Sequence, residues 1–370
     1  MKKVLFLIHD LGQGGAEKVL VNLVNNMDTT KFDITVMTLF DVGVNKQFLS
    51  EKIHYKTVFK KMFRGNSHLM KLFTPKQLHK LFIKDKYDIE IAYLEGPCAR
   101  IISGCPNKET KLISWIHCTM KNEKEIFGSY RSKTEMLKCY QNIHNTIFVS
   151  NEVKDAFFKF ANIQNINLVL YNTLESDVIL YKSKEVLNEV KFKNDSIKWC
   201  GVGKITENKG FDRLIEIQKK LSDLNYDLHL YILGDGPKKN ELEKLCQNLN
   251  IKENVTFLGY QTNPYKYVAN CDLFVCSSYS EGFSTAATEA LIVGTPVCTV
   301  EVSGMKEMLG KNNEYGVVVD NDDEALYNAI KELLDNPQLL AHYKEKANER
   351  GKYFSKEKTV KAVEEMLLNL

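Results

Sequence analysis

Short apolar segments alternate with longer amphipathic segments along nearly the whole chain of 370 residues. Segments such as Val4–Ile8 and Leu228–Leu233 have the length of buried strands, and Phe211–Leu221 has the spacing of a helix with one apolar face. This alternation is typical of α/β proteins, in which helices cover both faces of a parallel sheet. The length is sufficient for two domains of ordinary size, each with its own core.

The predicted strands are Val4–Ile8, Asp33–Leu39, Ile89–Tyr93, Leu112–Trp115, Thr146–Val149, Lys198–Val202, Leu228–Leu233, Thr256–Leu258, Leu273–Cys276, Val297–Val300 and Val317–Val319. The predicted helices are Ala16–Asn26, Pro75–Lys84, Lys124–Asn142, Val153–Phe160, Phe211–Leu221, Lys239–Asn248, Asn263–Ala269, Thr285–Val293, Glu324–Leu334, Gln338–Gly351 and a final one over about Lys356–Leu370.

A polar stretch without a clear strand period separates the two halves of this pattern. We expect a first domain over residues 1–172, a linker over 173–195, a second domain over 196–354, and a C-terminal helix over 355–370 that packs back toward the first domain. Two Rossmann-like, doubly wound domains facing each other across a cleft are the simplest assembly. Ligands then bind at the carboxyl ends of strands from both sheets.

Two glutamates eight residues apart, Glu281 and Glu289, lie in a segment that is predicted to run strand, loop, helix, strand. Ser284 or Thr285 can cap the helix, and Gly294 suits its C-terminus. The N–H groups of residues 284–286 and the helix dipole favour a phosphate group. Carboxylates beside them can accept hydrogen bonds from sugar hydroxyls. A nucleotide sugar combines these two chemistries.

Two lysines, Lys204 and Lys209, follow the strand Lys198–Val202 in a glycine-containing loop. Ammonium groups at the carboxyl edge of a strand can neutralise a diphosphate and stabilise its departure. Taken alone, the lysines also fit an ordinary exposed loop. The convergence of several such strand-end elements favours the functional interpretation.

The first domain contributes a glycine-rich loop, Gly12–Glu17, and a histidine, His117, each at the end of a strand. Gly14 and Gly15 permit close approach of the backbone to a ligand. As a dinucleotide fingerprint the loop fails, because Glu17 occupies the third glycine position, although Asp41 keeps a dehydrogenase as an alternative. A lone histidine at a strand end is more often structural than catalytic.

The sequence Asp320-Asn321-Asp322 has the D-x-D spacing that binds a divalent ion in some enzymes. Here it precedes the predicted helix at Glu324, so Asp322 or Asp323 is interpreted as an N-terminal cap. We therefore predict no metal requirement. The nine cysteines include no C-x-x-C pair, which indicates buried free thiols in a reducing cytoplasm rather than disulfides or zinc.

The charge is unevenly distributed, with 25 Lys and Arg against 16 Asp and Glu in residues 1–170, and 25 against 31 in residues 171–370. Residues 56–86 hold nine Lys and Arg, Lys60, Lys61 and Arg64 among them, interleaved with large apolar residues. This pattern favours a surface on anionic lipid headgroups that also receives the acceptor. A solvated helical hairpin with a buried apolar face is the alternative. Nucleic acid is the weakest option, because no binding motif accompanies the charge.

Together these motifs resemble the retaining glycosyltransferases of family 4, which have the GT-B fold. The resemblance spans nearly the whole chain. It includes Glu281 and Glu289 at E-x7-E spacing, the lysine loop, Gly234-Asp235-Gly236-Pro237, Phe257-Leu258-Gly259, and Ser303-Gly304 before Glu307. Each motif is weak singly, and their order and spacing are specific.

The resemblance implies a role for each matching residue. Glu289 is similar to the carboxylate that holds the donor ribose, and Glu281 to the residue that contacts the transferred sugar. Lys204 and Lys209 match the positions that bind the diphosphate, where arginine is commoner at 204 and would add a bidentate fork. His117 matches the histidine that faces the donor sugar. The remaining expected donor contacts are Gly14, Gly15, Gly282, Phe283, Ser284 and Thr285.

We therefore predict a metal-independent, retaining hexosyltransferase without a cofactor, with Glu281, His117 and Lys209 as its catalytic residues. It is expected to move a sugar from a nucleotide-diphosphate donor, preferably a UDP-sugar, to a lipid-linked or glycan acceptor in cell-surface polysaccharide or glycolipid assembly. The expected location is the cytoplasm, peripheral on the inner face of the membrane. The alternatives are a non-catalytic GT-B subunit that binds a glycosylated partner or activates another transferase, and the related phosphorylases and epimerases.

Overall fold

The computed structural model describes residues 1–12, 14–63, 65–120, 122–187, 192 and 196–370, which form two compact units. Unit 1 comprises Met1–Leu174 and Glu357–Leu370, and unit 2 comprises Glu175–Lys356. Arg64, Gln13 and part of the predicted linker lie outside the described residues. The chain therefore enters unit 2 once and returns to unit 1 for its last helix.

The strands of the described residues are β1 Lys2–Ile8, β2 Phe32–Phe40, β3 His54–Phe59, β4 Ile89–Ala92, β5 Lys111–Ile116, β6 Asn145–Phe148, β7 Ile166–Val169, β8 Ile197–Val202, β9 Leu228–Leu233, β10 Val255–Gly259, β11 Leu273–Cys276, β12 Val297–Val300 and β13 Val317–Val319.

The α-helices of the described residues are α1 Gly15–Asn26, α2 Asn66–Lys71, α3 Pro75–Phe82, α4 Pro97–Ile102, α5 Glu123–Phe127, α6 Lys133–Gln141, α7 Asn151–Phe158, α8 Ser176–Ser183, α9 Phe211–Asp223, α10 Lys239–Asn248, α11 Tyr265–Val268, α12 Thr285–Ile292, α13 Met305–Leu309, α14 Asp323–Asp335, α15 Pro337–Gly351 and α16 Lys356–Leu368.

Unit 1 is built on a seven-stranded sheet, counted over the described residues, in the order β3-β2-β1-β4-β5-β6-β7. All neighbouring strands are parallel. The order reverses between β1 and β4, so the loops that follow these two strands diverge at one edge and leave a crevice. Val4–Ile8 of β1 has no exposed side chain, as a strand covered by helices on both faces requires.

Unit 2 is built on a second parallel sheet, with six strands within the described residues in the order β10-β9-β8-β11-β12-β13. Here the order reverses between β8 and β11. The loops after these strands carry the lysines at 204 and 209 and the glutamate at 281. Both sheets therefore have the doubly wound arrangement that the alternating sequence pattern predicts.

Every predicted strand is present, but β3 and β7 are absent from the prediction. Both are edge strands of unit 1, and their side chains are mostly half-buried or exposed. An edge strand lacks the continuous apolar run of a central parallel strand, so its sequence resembles a loop. Three short helices, α2, α4 and α13, are also missing from the prediction, because five or six residues are too few to show a helical period.

Two predicted elements differ from the structure. The single helix expected over Lys124–Asn142 is two helices, α5 and α6, because Ser132 caps a new helix by accepting from Glu135 N. The linker expected over residues 173–195 contains α8, which packs against α11 and α12 and belongs to unit 2. The prediction missed α8 because its apolar residues do not form one continuous stripe.

The C-terminal helix α16 completes unit 1. Lys2 Nζ donates to Leu367 O at 2.9 Å, and Asp28 N donates to Glu364 Oε1 at 2.5 Å. Val363 and Leu367 are buried on the same helix. All nine cysteines are free, and all except Cys105 and Cys118 are buried, which confirms the prediction of buried free thiols.

Candidate active site

In unit 2, two loops at the strand-order reversal are joined by hydrogen bonds. Ser277 Oγ, after β11, donates to Lys209 O at 3.0 Å, and Tyr279 N donates to Asn208 O at 2.8 Å. Asn208 Nδ2 donates to Ser280 O at 2.8 Å. Gly210, at φ +61, turns the chain into α9 where any Cβ would overlap Ser277 O. These contacts fix the distance between Lys209 and the loop of Glu281.

The predicted residues Lys209 and Glu281 form an ion pair across this junction, with Lys209 Nζ 2.5 Å from Glu281 Oε1. Ser278 Oγ donates to the same oxygen at 2.6 Å. The two ion-pair side chains are 28% and 12% exposed, so the pair is shielded from bulk water but still reachable. A cation and a carboxylate held at the carboxyl edge of a sheet can bind a phosphate and a hydroxyl next to one another.

The second glutamate, Glu289, lies on α12 and is 8% exposed. Its Oε1 accepts a long hydrogen bond of 3.4 Å from Tyr265 OH. Ser284 caps this helix by accepting from Ala287 N at 3.3 Å, as predicted. The first turn of a helix leaves backbone N–H groups without intrahelical partners, and the N–H of Thr285 is one of them. The helix dipole adds partial positive charge there.

The Phe283 side chain does not face solvent as a donor contact would. It is 6% exposed and packs edge-on against Phe354, with ring centroids 5.9 Å apart. Gly304, at φ +83, allows the neighbouring loop to pass the ring, since a Cβ there would lie 2.7 Å from Phe283 Cδ2. The expectation that Phe283 contacts the donor stays a prediction, which the buried ring leaves to the backbone of this residue.

Lys204 lies after β8 with an exposed side chain and forms no ion pair within the part of the chain that the structure describes. The loop of Lys204 packs against the turn that follows β9, which begins at Gly234. Gly203 N donates to Leu233 O at 2.9 Å, and Gly234, at φ +142, approaches so closely that a Cβ would overlap Gly203 O. The sequence Gly234-Asp235-Gly236 is thus a support for the lysine loop.

His117 belongs to unit 1, directly after β5, and is 7% exposed. Burial lowers the pKa of His117 to about 3, so the ring is neutral at physiological pH. Its Nε2 is buried and has no hydrogen-bond partner among the described residues. The ring contacts Tyr93 at 4.7 Å between centroids, and His117 N donates to Glu95 Oε2 at 3.1 Å. The Nε2 atom therefore keeps an unused hydrogen-bonding capacity within the part of the chain that the structure describes.

The glycine loop of unit 1 presents carboxylates. Gly14 is the residue before α1 and has an ordinary φ of −73, while Gly15 begins the helix. The Glu17 carboxylate lies against Gly14 at the start of α1, so a Cβ on Gly14 would overlap the carboxylate. Burial raises the pKa of Glu17, and nearby Asp10 raises it further. Because negative charge repels phosphate, this loop suits hydroxyl groups better than a phosphate.

The D-x-D sequence is a helix cap and a clamp on an arginine. Asp322 accepts from Glu324 N and Ala325 N at 2.9 and 3.0 Å, which confirms the predicted capping role. The N–H of Ala325 above all lowers the pKa of Asp322. Asn321 Oδ1 and Asp323 accept from the buried Arg213 at 2.8 and 2.6 Å.

The structure brings Lys204, Lys209, Glu281, Gly282, Ser284, Thr285 and Glu289 to the carboxyl edge of the unit 2 sheet, and places Gly14, Gly15 and His117 at the carboxyl edge of the unit 1 sheet. Sequence reasoning missed Ser278 and Glu95. Ser278 lies three residues before Glu281, a spacing that gives no signal without the loop geometry. Glu95 could have been found from its position, because it follows β4, one of the two strands between which the strand order of unit 1 reverses.

The family model for glycosyl transferases group 1 matches residues 183–350. The chain is 30% identical over 100% of its length, and 100% of the relative's, to an N-acetylgalactosamine-N,N'-diacetylbacillosaminyl-diphospho-undecaprenol 4-alpha-N-acetylgalactosaminyltransferase of Campylobacter jejuni. Among the described residues no helix is long and apolar enough to cross a bilayer.

Solved structures share the fold at low sequence identity. HepE of Anabaena, solved with UDP and glucose, aligns with a TM-score of 0.79 at 18% identity over 100% of both chains. Sucrose-phosphate synthase of Thermosynechococcus elongatus aligns with a TM-score of 0.80 at 16% identity, over 100% of this chain and 99% of the other. The predicted α/β class with two Rossmann-like domains, the GT-B fold, is confirmed. The narrower assignment to family 4 stays a prediction. On the family match and the full-length relative, the chain belongs to the glycosyl transferases group 1.

Proposed function

We propose that this chain is a retaining glycosyltransferase that moves a sugar from a nucleotide-diphosphate donor, a UDP-sugar, to a lipid-linked or glycan acceptor of a cell-surface polysaccharide or glycolipid. The observation that carries the proposal is the Lys209–Glu281 pair, tied by Ser278 at the strand-order reversal of unit 2. The Campylobacter relative is named for a diphospho-undecaprenol substrate, and HepE was crystallised with UDP-glucose, which supports both substrate classes.

The donor diphosphate is proposed to bind between Lys204, Lys209 and the start of α12. Lys204 is exposed and without an ion pair in the described structure, so its ammonium is available to an anion. The amides and dipole at the start of α12 add to that positive charge. Glu289, a buried acceptor, is proposed to hold the ribose hydroxyls, and Glu281 the hydroxyls of the transferred sugar.

The ion pair has a further consequence for the donor complex. Lys209 is held by Glu281, so a phosphate that binds Lys209 brings the sugar within reach of that same carboxylate. This coupling places the anomeric carbon relative to both groups, and such positioning is a large source of rate acceleration. Lys209 also stabilises the negative charge that develops on the leaving diphosphate.

His117 is proposed to contact a hydroxyl of the donor sugar through Nε2. With its pKa lowered to about 3, the ring is a poor proton acceptor from a neutral donor at pH 7, so we assign it to positioning contact with the sugar and not to base catalysis. Retention then follows a front-side route, in which the departing diphosphate helps to deprotonate the acceptor hydroxyl. Lys204, Lys209 and the start of α12 supply positive charge, so we propose metal-independent donor binding.

The acceptor is proposed to meet unit 1, whose glycine loop carries Glu17, lies beside Asp10 and suits hydroxyl groups. A lipid-linked acceptor requires an enzyme that works at a membrane. We therefore propose that the protein lies on the inner, cytoplasmic face of an anionic membrane, contacting it peripherally through the basic segment that includes Lys60 and Lys61.

The test is a panel of nucleotides and nucleotide sugars scored by thermal shift, followed by hydrolysis of the best donor. A ligand specific for the folded state adds about 2.7 kcal/mol of stability at 100 times its dissociation constant. We expect UDP-sugars to shift the melting temperature most. Lys209→Ala and Glu281→Ala are expected to lower turnover by about 10²- to 10³-fold, because each removes a group that acts on developing charge.

The matched control is Lys220→Ala, which removes a lysine of unit 2 that pairs with Glu324 on the surface. This variant is expected to keep wild-type turnover and the wild-type shift with UDP. The proposal fails if no nucleotide sugar stabilises the protein. It also fails if folded Lys209→Ala or Glu281→Ala turns over the donor at the wild-type rate.

A further inference from the structure

One part of unit 1, the loop before α2 together with α2 and α3, exposes large apolar side chains. Leu72 is 74% exposed, Met62 and Leu81 are each 48% exposed, and Leu69 is 46% exposed. All four lie within residues 62–81. Scattered exposed leucines are ordinary on protein surfaces, but a concentration of them indicates an interaction site. We name these four residues the apolar tip.

A buried arginine holds the turn that carries the tip. Arg100 is 1% exposed, and its guanidinium donates to Met70 O at 2.9 Å and to Phe73 O at 2.7 Å. Glu135 pairs with the same guanidinium at 3.1 Å. Met70 O also accepts from Phe73 N at 3.3 Å, so the Arg100 guanidinium adds a second donor at the end of α2 from inside the unit.

A second arginine completes this clamp. Arg131 donates to Lys71 O at 2.7 Å and to Leu72 O at 3.1 Å, so four consecutive carbonyls, from Met70 to Phe73, accept from guanidinium groups. The next residue, Thr74, begins α3 with a reciprocal capping box with Gln77. The turn is therefore fixed on both sides. Leu72 is exposed because the backbone is held in place, not because the turn lacks structure.

Four exposed lysines of the same segment lack salt bridges among the described residues. Lys60, Lys61, Lys76 and Lys80 are exposed, and none of them forms an ion pair in the described ranges. The one acid in residues 56–86, Asp85, pairs with Lys56. These four lysines therefore carry positive charge that no ion pair of the described residues neutralises.

We propose that this face is a preorganised membrane wedge. Leu69 and Leu72 insert among the acyl chains of an anionic bilayer, and Lys60, Lys61, Lys76 and Lys80 contact its headgroups. The inference rests on the proposed function for its purpose, because a lipid-linked acceptor lies in the same bilayer. The clamp of Arg100 and Arg131 reduces the ordering that insertion requires, since the turn that carries Leu72 is already held in one conformation.

Charge and apolarity together favour a bilayer over other occupants. A second copy of this chain would bring the same positive charge against itself and would repel the first copy. A bilayer with anionic lipid offers negative charge at its surface and apolar chains a few ångströms below. A leucine side chain extends only a few ångströms from the backbone. We therefore expect Leu69 and Leu72 to reach the outer part of the acyl chains and not the centre of the bilayer.

The experiment is co-sedimentation of the full-length protein, without any sugar substrate, with phosphatidylcholine vesicles that contain one third phosphatidylglycerol. We expect Leu72→Asp to weaken binding by about thirtyfold through loss of apolar transfer. The double variant Lys60→Glu, Lys61→Glu is expected to weaken it by at least 25-fold. Raising the salt to about 0.5 M, where screening acts within roughly 4 Å, should weaken wild-type binding in the same direction.

The matched controls make the same kinds of substitution in unit 2, outside the apolar tip. Leu224→Asp changes a leucine that is 52% exposed, and Lys311→Glu with Lys344→Glu changes two exposed lysines. Both are expected to bind vesicles within about twofold of wild type, since neither touches the tip. Arg131→Lys keeps the charge but loses the two-carbonyl fork. It is expected to weaken binding severalfold and to speed hydrogen exchange at residues 70–73.

The wedge is overturned if Leu72→Asp, still folded by circular dichroism, binds anionic vesicles as wild type does. It is also overturned if wild type binds pure phosphatidylcholine equally well, or if Leu72→Asp instead abolishes a concentration-dependent dimer. The thermal shift with UDP separates this inference from the proposed function. Wedge variants that lose vesicle binding but keep the UDP shift support both, and a protein that binds vesicles but no nucleotide refutes only the function.

Discussion

The carboxylate of Glu281 accepts from two donors on the same oxygen, Lys209 Nζ at 2.5 Å and Ser278 Oγ at 2.6 Å. An ammonium alone permits a carboxylate to rotate about its side-chain bonds. The hydroxyl adds a second direction and restricts that rotation. We therefore predict that Ser278 is a positioning residue, which acts through the orientation of the Glu281 carboxylate.

This role for Ser278 predicts a loss of turnover in a Ser278→Ala variant that still folds. A hydrogen bond to a charged group is worth about 1.5 kcal/mol, which corresponds to roughly a tenfold decrease in kcat. We expect the KM for the donor to change much less than kcat, because the phosphate contacts remain. Ser183→Ala, on α8, is the control. An unchanged kcat in Ser278→Ala would remove Ser278 from the site.

Glycine geometry next to the site gives a second prediction. Gly304 at φ +83 faces the Phe283 ring, whereas Gly259 at φ +68 has no atom within 4 Å of a built Cβ. An alanine at either position adopts a left-handed backbone at a cost of about 1 kcal/mol. Gly304→Ala adds steric overlap worth about 1 to 3 kcal/mol more.

Urea unfolding of Gly304→Ala and Gly259→Ala measures this difference directly. Because the backbone conformation is nearly matched, the difference between the two variants reports the contact with the Phe283 ring. Equal unfolding free energies would show that the loop around Phe283 adjusts without strain.

Among the elements, α3 has a buried ionic attachment to the sheet of unit 1. His79 Nε2 lies 2.9 Å from Glu90 Oε2 on β4, and the two side chains are 7% and 2% exposed. Burial by itself lowers the pKa of His79, but hydrogen bonds to Cys105 and Glu90 outweigh burial and raise it to about 9. The ion pair thus attaches α3 to the sheet of unit 1. The same helix carries Lys76 and Lys80.

The raised pKa predicts how stability depends on pH. Unfolded His79 titrates near 6.5, so the ion pair contributes its full stabilisation below that pH and loses it as the pH rises through about 9. His79→Asn cannot carry the charge. The difference in unfolding free energy between wild type and His79→Asn is therefore expected to shrink from pH 6.5 to pH 9. A difference that stays constant over this range would show that the imidazolium is absent.

How far the sequence predicts the elements depends on their place in the sheets. Central strands such as β1 and β9 are continuous apolar runs because both faces are covered, and they were predicted. The edge strands β3 and β7 were not, since their half-exposed side chains match a polar loop. In the site, charged residues at strand ends were predictable by type. Ser278, and the burial of the Phe283 ring, depend on contacts that no local pattern encodes.

At the scale of the whole molecule, the two units have the same architecture and different charge. The first 170 residues hold more Lys and Arg than Asp and Glu, and the remainder holds fewer. In unit 1, the segment of residues 56–86 is rich in cations, while the carboxyl edge of the sheet carries Asp10, Glu17 and Glu95. In unit 2, the carboxyl edge carries Lys204 and Lys209. The excess charge of a unit therefore does not indicate what its sheet edge binds.

The central claim is that lysines and glutamates of unit 2 together hold the diphosphate and hydroxyls of an activated sugar. A crystal structure of the protein with UDP tests it most directly. We expect the diphosphate within hydrogen-bonding distance of Lys204 Nζ and Lys209 Nζ beside the start of α12, with the ribose hydroxyls on Glu289. UDP bound away from this edge, with the Glu281 and Glu289 carboxylates contacting no part of it, would contradict the claim.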